Sequence, residues 1–232
     1  MNSLNTQTTV GEIVRAQPSR SRIFEGLGID YCCGGKKPLA EVCKAKGLDP
    51  ATVVAMLTAL DGVPEASSAN PDAMSLTALC DHIVQVHHEY LREELPRLDF
   101  MTRKVAAVHS EHEPRLLEIR QVFMEFNAAM SSHTVEEETQ IFPAIRQLEA
   151  ADDAKDKVSS LKVSLEKLES DHDQAGAALV RLHDLTDGYT PPEWACNTFR
   201  ALYDGLSNLE KETHQHVHKE NNVLFPRVLV AG

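Results

Sequence analysis

The stretch His216-Val217-His218-Lys219-Glu220-Asn221-Asn222-Val223-Leu224-Phe225-Pro226 decides how the rest of the chain is read. His216 and Glu220 are four apart, so on a helix they share one face, one turn from each other. That face runs back through Phe199, Leu202, Leu206, Leu209 and Thr213 and forward to Val223, an apolar stripe spaced alternately by three and four. The same pattern, His-x3-Glu-x4-Phe-Pro, stands 83 residues earlier as His133, Glu137, Phe142 and Pro143. There it closes the stripe Ile119, Phe123, Phe126, Met130, His133, Glu137. A carboxylate on an inner helix face needs a compensating charge. Neither stripe contains a lysine or arginine, so the compensating charge is expected to be a metal.

Two further stripes complete the set. One is Cys80, Val84, His88, Leu91, Leu95, Leu98, and the other is Val158, Leu161, Leu165, Leu168, His172, Ala175, Leu179, Leu182. His88-Glu89 is echoed by His172-Asp173 at an offset of 84. Breaks near Ser110–Pro114, Ala150–Asp153 and Asp187–Pro192 separate four long helices with almost no strand signal. An all-α, up-down-up-down four-helix bundle follows over residues 74–232. Pro96 is expected to kink or interrupt the first helix.

The histidine positions test this arrangement. In an antiparallel hairpin, residues at one height lie equally far from the turn. The His88/His133 midpoint is 110.5, the His133/His172 midpoint 152.5, and the His172/His216 midpoint 194, each in or beside a break. Core packing does not require this coincidence, whereas a shared site does. Two similar hairpins related by a pseudo-two-fold axis predict two metals, each held by two imidazoles and bridged by Glu137 and Glu220. Nitrogen and carboxylate donors without thiolate point away from structural zinc and toward iron or manganese. His82, His87, His109, His112, His183, His214 and His218 lie off the stripes and are expected mostly at the surface, with supporting or access roles open to His87 and His109.

Residues 1–62 predict a small helical unit, with helical stretches at Val10–Val14 and Ser21–Phe24 and helix starts at Pro38 and Pro50. Residues 63–73 are rich in Pro, Ser and Ala and form the expected linker. Cys32 and Cys33 sit in the glycine turn Ile29-Asp30-Tyr31-Cys32-Cys33-Gly34-Gly35-Lys36-Lys37. Positive charge and a helix N-terminus nearby would favour thiolate there. A redox or iron-sulfur-handling role and a purely structural turn both fit that pair. Cys43, Cys80 and Cys196 fit helical patterns as small buried hydrophobes.

The chain has 232 residues and a net charge of −12, which argues against nucleic acid or an anionic membrane as partner. No apolar run is long enough to span a membrane, and the polar N-terminus has no secretory pattern. Five cysteines suit a reduced, cytoplasmic thiol set better than a disulfide framework.

Asp30-Tyr31-Cys32-Cys33-Gly34-Gly35-Lys36, Ser132-His133-x3-Glu137, Glu169-Ser170-Asp171-His172-Asp173 and His216-x3-Glu220-Asn221-Asn222-Val223-Leu224-Phe225-Pro226 together resemble the "repair of iron centres" family of bacterial di-iron proteins, the ScdA/YtfE type. The resemblance covers nearly the whole chain and implies a hemerythrin-like bundle behind a short cysteine-bearing N-terminal domain. It further implies a non-haem, oxo-bridged centre of two iron ions on His88, His133, Glu137, His172, His216 and Glu220. Repair of iron-sulfur proteins damaged by nitrosative or oxidative stress, nitric oxide as ligand, and a monomer or homodimer are the accompanying expectations. Reduction of nitric oxide at the centre is open. Leu91 stands where some members have another histidine. The alternatives are a hemerythrin-like carrier or sensor of oxygen or nitric oxide, which gives the cysteine turn no purpose, and a ferritin-like ferroxidase, which uses Glu-x-x-His and more carboxylates.

Overall fold

The computed structural model describes residues 4–60, 70–151 and 155–231, and among these every regular element is helical. The N-terminal unit begins with α1 (Val10–Ala16), closed by a capping box in which the Thr9 side chain accepts from the Glu12 amide and Glu12 reaches back to the Thr9 amide. A 3₁₀ turn (Pro18–Arg20) leads to α2 (Ser21–Gly26), followed by α3 (Leu39–Lys46) and α4 (Pro50–Thr58). Pro50 is the first residue of α4, capped by Asp49, whereas Pro38 lies one position early, as the N-cap of α3. Gly47 ends α3 with φ 67°, a left-handed conformation that costs glycine little. Val10, Ile13, Phe24, Tyr31, Leu39 and Leu57 are the centre of this unit's own core.

Residues 63–69 of the expected linker lie outside the described residues. Pro71–Ala73 is a 3₁₀ turn capped by Asn70, and Asp72 pairs with Arg15 at 2.6 Å. No helix among the described residues is long and apolar enough to cross a membrane.

Four long rods follow. The first is α5 (Leu76–Ile83), a π-helical turn (Val84–His88) and α6 (Glu89–His109). The second is α7 (Arg115–Glu136), a π turn (Glu137–Ile141) and α8 (Phe142–Glu149). The third is α9 (Lys155–Leu185), with no π turn. The fourth is α10 (Asn197–Lys219), a π turn (Glu220–Leu224) and α11 (Phe225–Leu229). α6 packs on α7, α7 on α9, α9 on α10 and α10 back on α6, a closed four-helix bundle. Residues 152–153 of the second expected break lie outside the described residues.

Pro96 does not interrupt α6. It lies on the exposed face, and Arg92, whose carbonyl loses its donor, is exposed too, so water can satisfy the freed group. The flanking Leu91, Leu95 and Leu98 stay anchored in the core.

The three π turns have a local cause. In each, an amide bonds five residues back: Glu89 to Val84, Phe142 to Glu137 and Phe225 to Glu220. In the latter two the next residue is proline, which has no amide to give, so the widened turn falls where the ordinary ladder is already broken. Each π turn begins or ends on a histidine or glutamate of the inner stripes, and it rotates the following residues relative to a uniform helix.

The bundle core is two apolar clusters rather than one. Leu98, Phe123, Phe126, Leu182, Phe199 and Leu206 belong to the cluster nearer the Ser110 turn. Leu79, Ile83, Phe142, Ile145, Leu168 and Phe225 belong to the other. The polar stripe residues lie between them.

Candidate metal centre

That layer contains His88, His133, Glu137, His172, His216 and Glu220, all buried. Their donor atoms form two groups, His88–Glu137–His216–Glu220 and His133–Glu137–His172–Glu220, each with all donors within 4.8 Å of one another. Both glutamates belong to both groups, and each group takes two histidines. His88 Nε2 and His216 Nε2 lie 3.3 Å apart, and His133 Nε2 and His172 Nε2 3.0 Å. Two ligands about 2.1 Å from one cation and at right angles would be about 3 Å apart.

The donors fit a metal on a second ground. Glu137 Oε1, Glu137 Oε2 and Glu220 Oε2 are buried without a hydrogen-bond donor. The nearest groups to these carboxylates are the imidazoles themselves, with His216 Nε2 2.8 Å from Glu220 Oε1, His172 Nε2 3.1 Å from Glu220 Oε2 and His88 Nε2 3.3 Å from Glu137 Oε2. Carboxylates at 0 % exposure need positive charge, and no lysine or arginine is in the layer. Without a metal the imidazoles must supply it. Burial lowers the His133 pKa, but the Glu137 carboxylate outweighs it and raises the pKa to about 9. Burial raises both carboxyls and Glu220 raises Glu137 further, yet the facing histidines win, holding Glu137 below and Glu220 well below the usual range.

The outer nitrogens are held from behind. His88 Nδ1 lies 2.7 Å from Glu138 Oε1, which also receives Arg92, and His172 Nδ1 lies 2.8 Å from Asn221 Oδ1. Both oxygens only accept, so Nδ1 carries the proton and Nε2 presents its lone pair to the centre. Phe142 stacks on His88 with centroids 5.7 Å apart, and Phe225 on His172 at 6.0 Å. The internal repeat thus extends past the six stripe residues. Glu138 and Asn221 follow Glu137 and Glu220 directly, and the π turns aim them at the neighbouring rod. That correspondence was visible in the sequence, but a uniform helix would have pointed both residues elsewhere.

Several off-stripe residues depart from expectation. His87 is buried, stacked on His216 at 5.3 Å, with Nε2 accepting from Lys219 Nζ at 2.7 Å. Burial pulls the Lys219 pKa down to about 8 despite Glu212 and Glu220. His218 is buried rather than superficial, because the N-terminal unit covers it, and its Nδ1 donates to the Tyr31 carbonyl at 3.2 Å. His109 stands away from the centre, with Cys196 Sγ at 3.4 Å. Cys43 and Cys80 are buried, while Cys196, at the N-cap of α10, is exposed.

Cys32 and Cys33 sit against the bundle. Cys33 Sγ lies 3.4 Å from the His172 carbonyl, and Asn222 Nδ2 donates to the Cys32 carbonyl at 3.0 Å. The expected thiolate character fails at Cys32. Lys36 turns away to Glu169 at 2.8 Å, while the hydrogen bond to Cys33, burial and the nearby Asp30 push the Cys32 thiol up.

The fold and its polar layer define a hemerythrin-like cation-binding bundle with a helical N-terminal unit. Residues 81–228 match the hemerythrin HHE cation binding domain, and residues 6–61 match a domain of unknown function, DUF542, found at the ScdA N-terminus. The chain is 34% identical over 226 residues to the iron-sulfur cluster repair protein ScdA of Staphylococcus epidermidis, covering 97% of this chain and 99% of the relative. It is 35% identical over 223 residues to the iron-sulfur cluster repair protein YtfE of Musicola paradisiaca, covering 96% of each. The chain belongs to this ScdA/YtfE family.

Proposed function

We propose that the protein repairs iron-sulfur clusters damaged by nitrosative or oxidative stress, through a di-iron centre on His88, His133, Glu137, His172, His216 and Glu220. The observation that carries this reading is the pair of donor groups sharing both glutamates, beside which Cys33 touches the backbone of His172. Two irons bound there would supply redox chemistry and a site for nitric oxide. His88 and His216 would hold one and His133 and His172 the other, with Glu137 and Glu220 reaching both. Glu138 and Asn221 orient the imidazoles, and Phe142 and Phe225 keep water from their faces. Damaged iron-sulfur proteins and nitric oxide are the partners, and the cytoplasm is the compartment.

A carrier or sensor of nitric oxide or oxygen would need the bundle alone. The contact between the cysteine turn and His172 favours repair over that alternative. Incubation of the iron-loaded protein with a nitrosylated iron-sulfur enzyme tests the proposal. Recovery of the enzyme's activity is expected, with Cys32→Ser/Cys33→Ser keeping iron and nitric oxide binding but losing much of the recovery. Nitric oxide binding without any recovery by the intact protein would leave only the carrier.

A further inference from the structure

A second set of donors lies outside the bundle. Asp30, Cys32 and Cys33 present their ligand atoms within 4.8 Å of one another. Cys32 Sγ stands 3.1 Å from Asp30 Oδ1 and 3.8 Å from Cys33 Sγ. Adjacent side chains often diverge, but here both sulfurs converge on the carboxylate. Two thiolates on one tetrahedral cation, each about 2.3 Å from it, would be about 3.8 Å apart.

The loop fixes this arrangement. Asp30 Oδ1 accepts from the Cys32 amide at 3.0 Å, and Oδ2 accepts from the Gly34 amide at 2.8 Å. A Cβ at Gly34 would lie 2.9 Å from the Asp30 carbonyl and 3.0 Å from Oδ2, so the glycine allows the carboxylate to fold back over the thiols. The three groups would all be anionic when ionised, and Lys36, the nearest lysine in sequence, is occupied by Glu169. They also line a cleft of about 1310 Å³ between the N-terminal unit and the bundle, which gives an approach from solvent.

We propose that Asp30, Cys32 and Cys33 form a second cation site, specific for a thiophilic divalent ion. Coordination releases both thiol protons to solvent and leaves two thiolates and one carboxylate on the ion, with remaining positions open toward the cleft. If the repair reading holds, the ion is ferrous iron in transit as cargo; the donor set itself does not depend on that reading.

Co²⁺ titration of the reduced, metal-stripped full-length protein tests the site, since the bundle donors contain no sulfur and only thiolate gives near-ultraviolet sulfur-to-cobalt charge transfer. These bands are expected to saturate at one ion per chain and to persist in Glu137→Leu/Glu220→Leu. They should vanish in Cys32→Ser/Cys33→Ser and diminish in Cys33→Ser alone. Asp30→Asn should weaken binding about tenfold or more. Absence of the bands in the reduced protein, their survival in the double serine variant, or unchanged affinity in Asp30→Asn would overturn the three-donor site. Absent bands with repair intact would remove this site and leave the repair reading. Present bands without repair would do the reverse.

Discussion

Asn221 Oδ1 accepts a hydrogen bond from His172 Nδ1 at 2.8 Å, linking the π turn of the fourth rod to a buried histidine of the third. The next residue, Asn222, points the other way and donates to the Cys32 carbonyl. One π turn therefore carries a buried carboxylate, the support for a buried histidine, and the latch for the N-terminal unit.

Asn221→Leu should remove the acceptor that His172 Nδ1 uses and weaken metal binding about 10–100-fold, as loss of outer partners of ligating histidines does. Asn221→Asp restores an acceptor and should bind at least as tightly as the natural protein. Competition against a chelator of known affinity measures both.

Glu138→Ala should have a similar effect on the other half of the centre. His88 loses its partner at 2.7 Å, while His133 and His172 keep their surroundings. Iron release on chelator challenge should become biphasic, with one ion leaving well before the other.

Glu137 lies in both donor groups, so on the di-iron proposal Glu137→Leu should lose more than one iron. The metal-free variant should melt no lower than the metal-free natural protein, because a buried carboxylate without its counter-charge is replaced by an apolar side chain, a change often worth about 1–4 kcal/mol in favour of folding. Elemental analysis and calorimetry check the two halves, and retention of both irons with unchanged spectra would show that Glu137 does not bridge.

Gly35 lets the cysteine turn approach the bundle: a Cβ there would stand 2.2 Å from Asn222 Oδ1. Gly35→Ala should displace Asn222 and loosen the N-terminal unit at a cost of about 1–3 kcal/mol. Faster proteolysis of that unit, with the metal centre's absorption unchanged, is the expected result.

A chain beginning at Asn70 should still fold and bind metal. Both apolar clusters of the bundle are built from residues after that point, as are all six stripe residues of the centre. Circular dichroism and metal analysis of the shortened chain measure this.

The sequence by itself determined the bundle and its polar layer. Helical periodicity places His133 and Glu137, or His216 and Glu220, on a face before any tertiary contact forms, and equal distances from the turns set the four histidines at one height. These are local or arithmetical properties of the chain. Periodicity could not determine what the π turns do. A uniform helix would put Glu138 and Asn221 on another face, whereas each is the second residue of a widened turn that aims it at a neighbouring rod. The docking of the N-terminal unit was equally out of reach. His218 is buried because Tyr31 covers it, and the Cys32 thiol is pushed up by Cys33, burial and Asp30, while Lys36 pairs with Glu169, 133 positions away, instead of with the cysteines. Those outcomes depend on which distant groups meet. Spacing along the chain carries no record of that, and only packing of one unit against the other decides it.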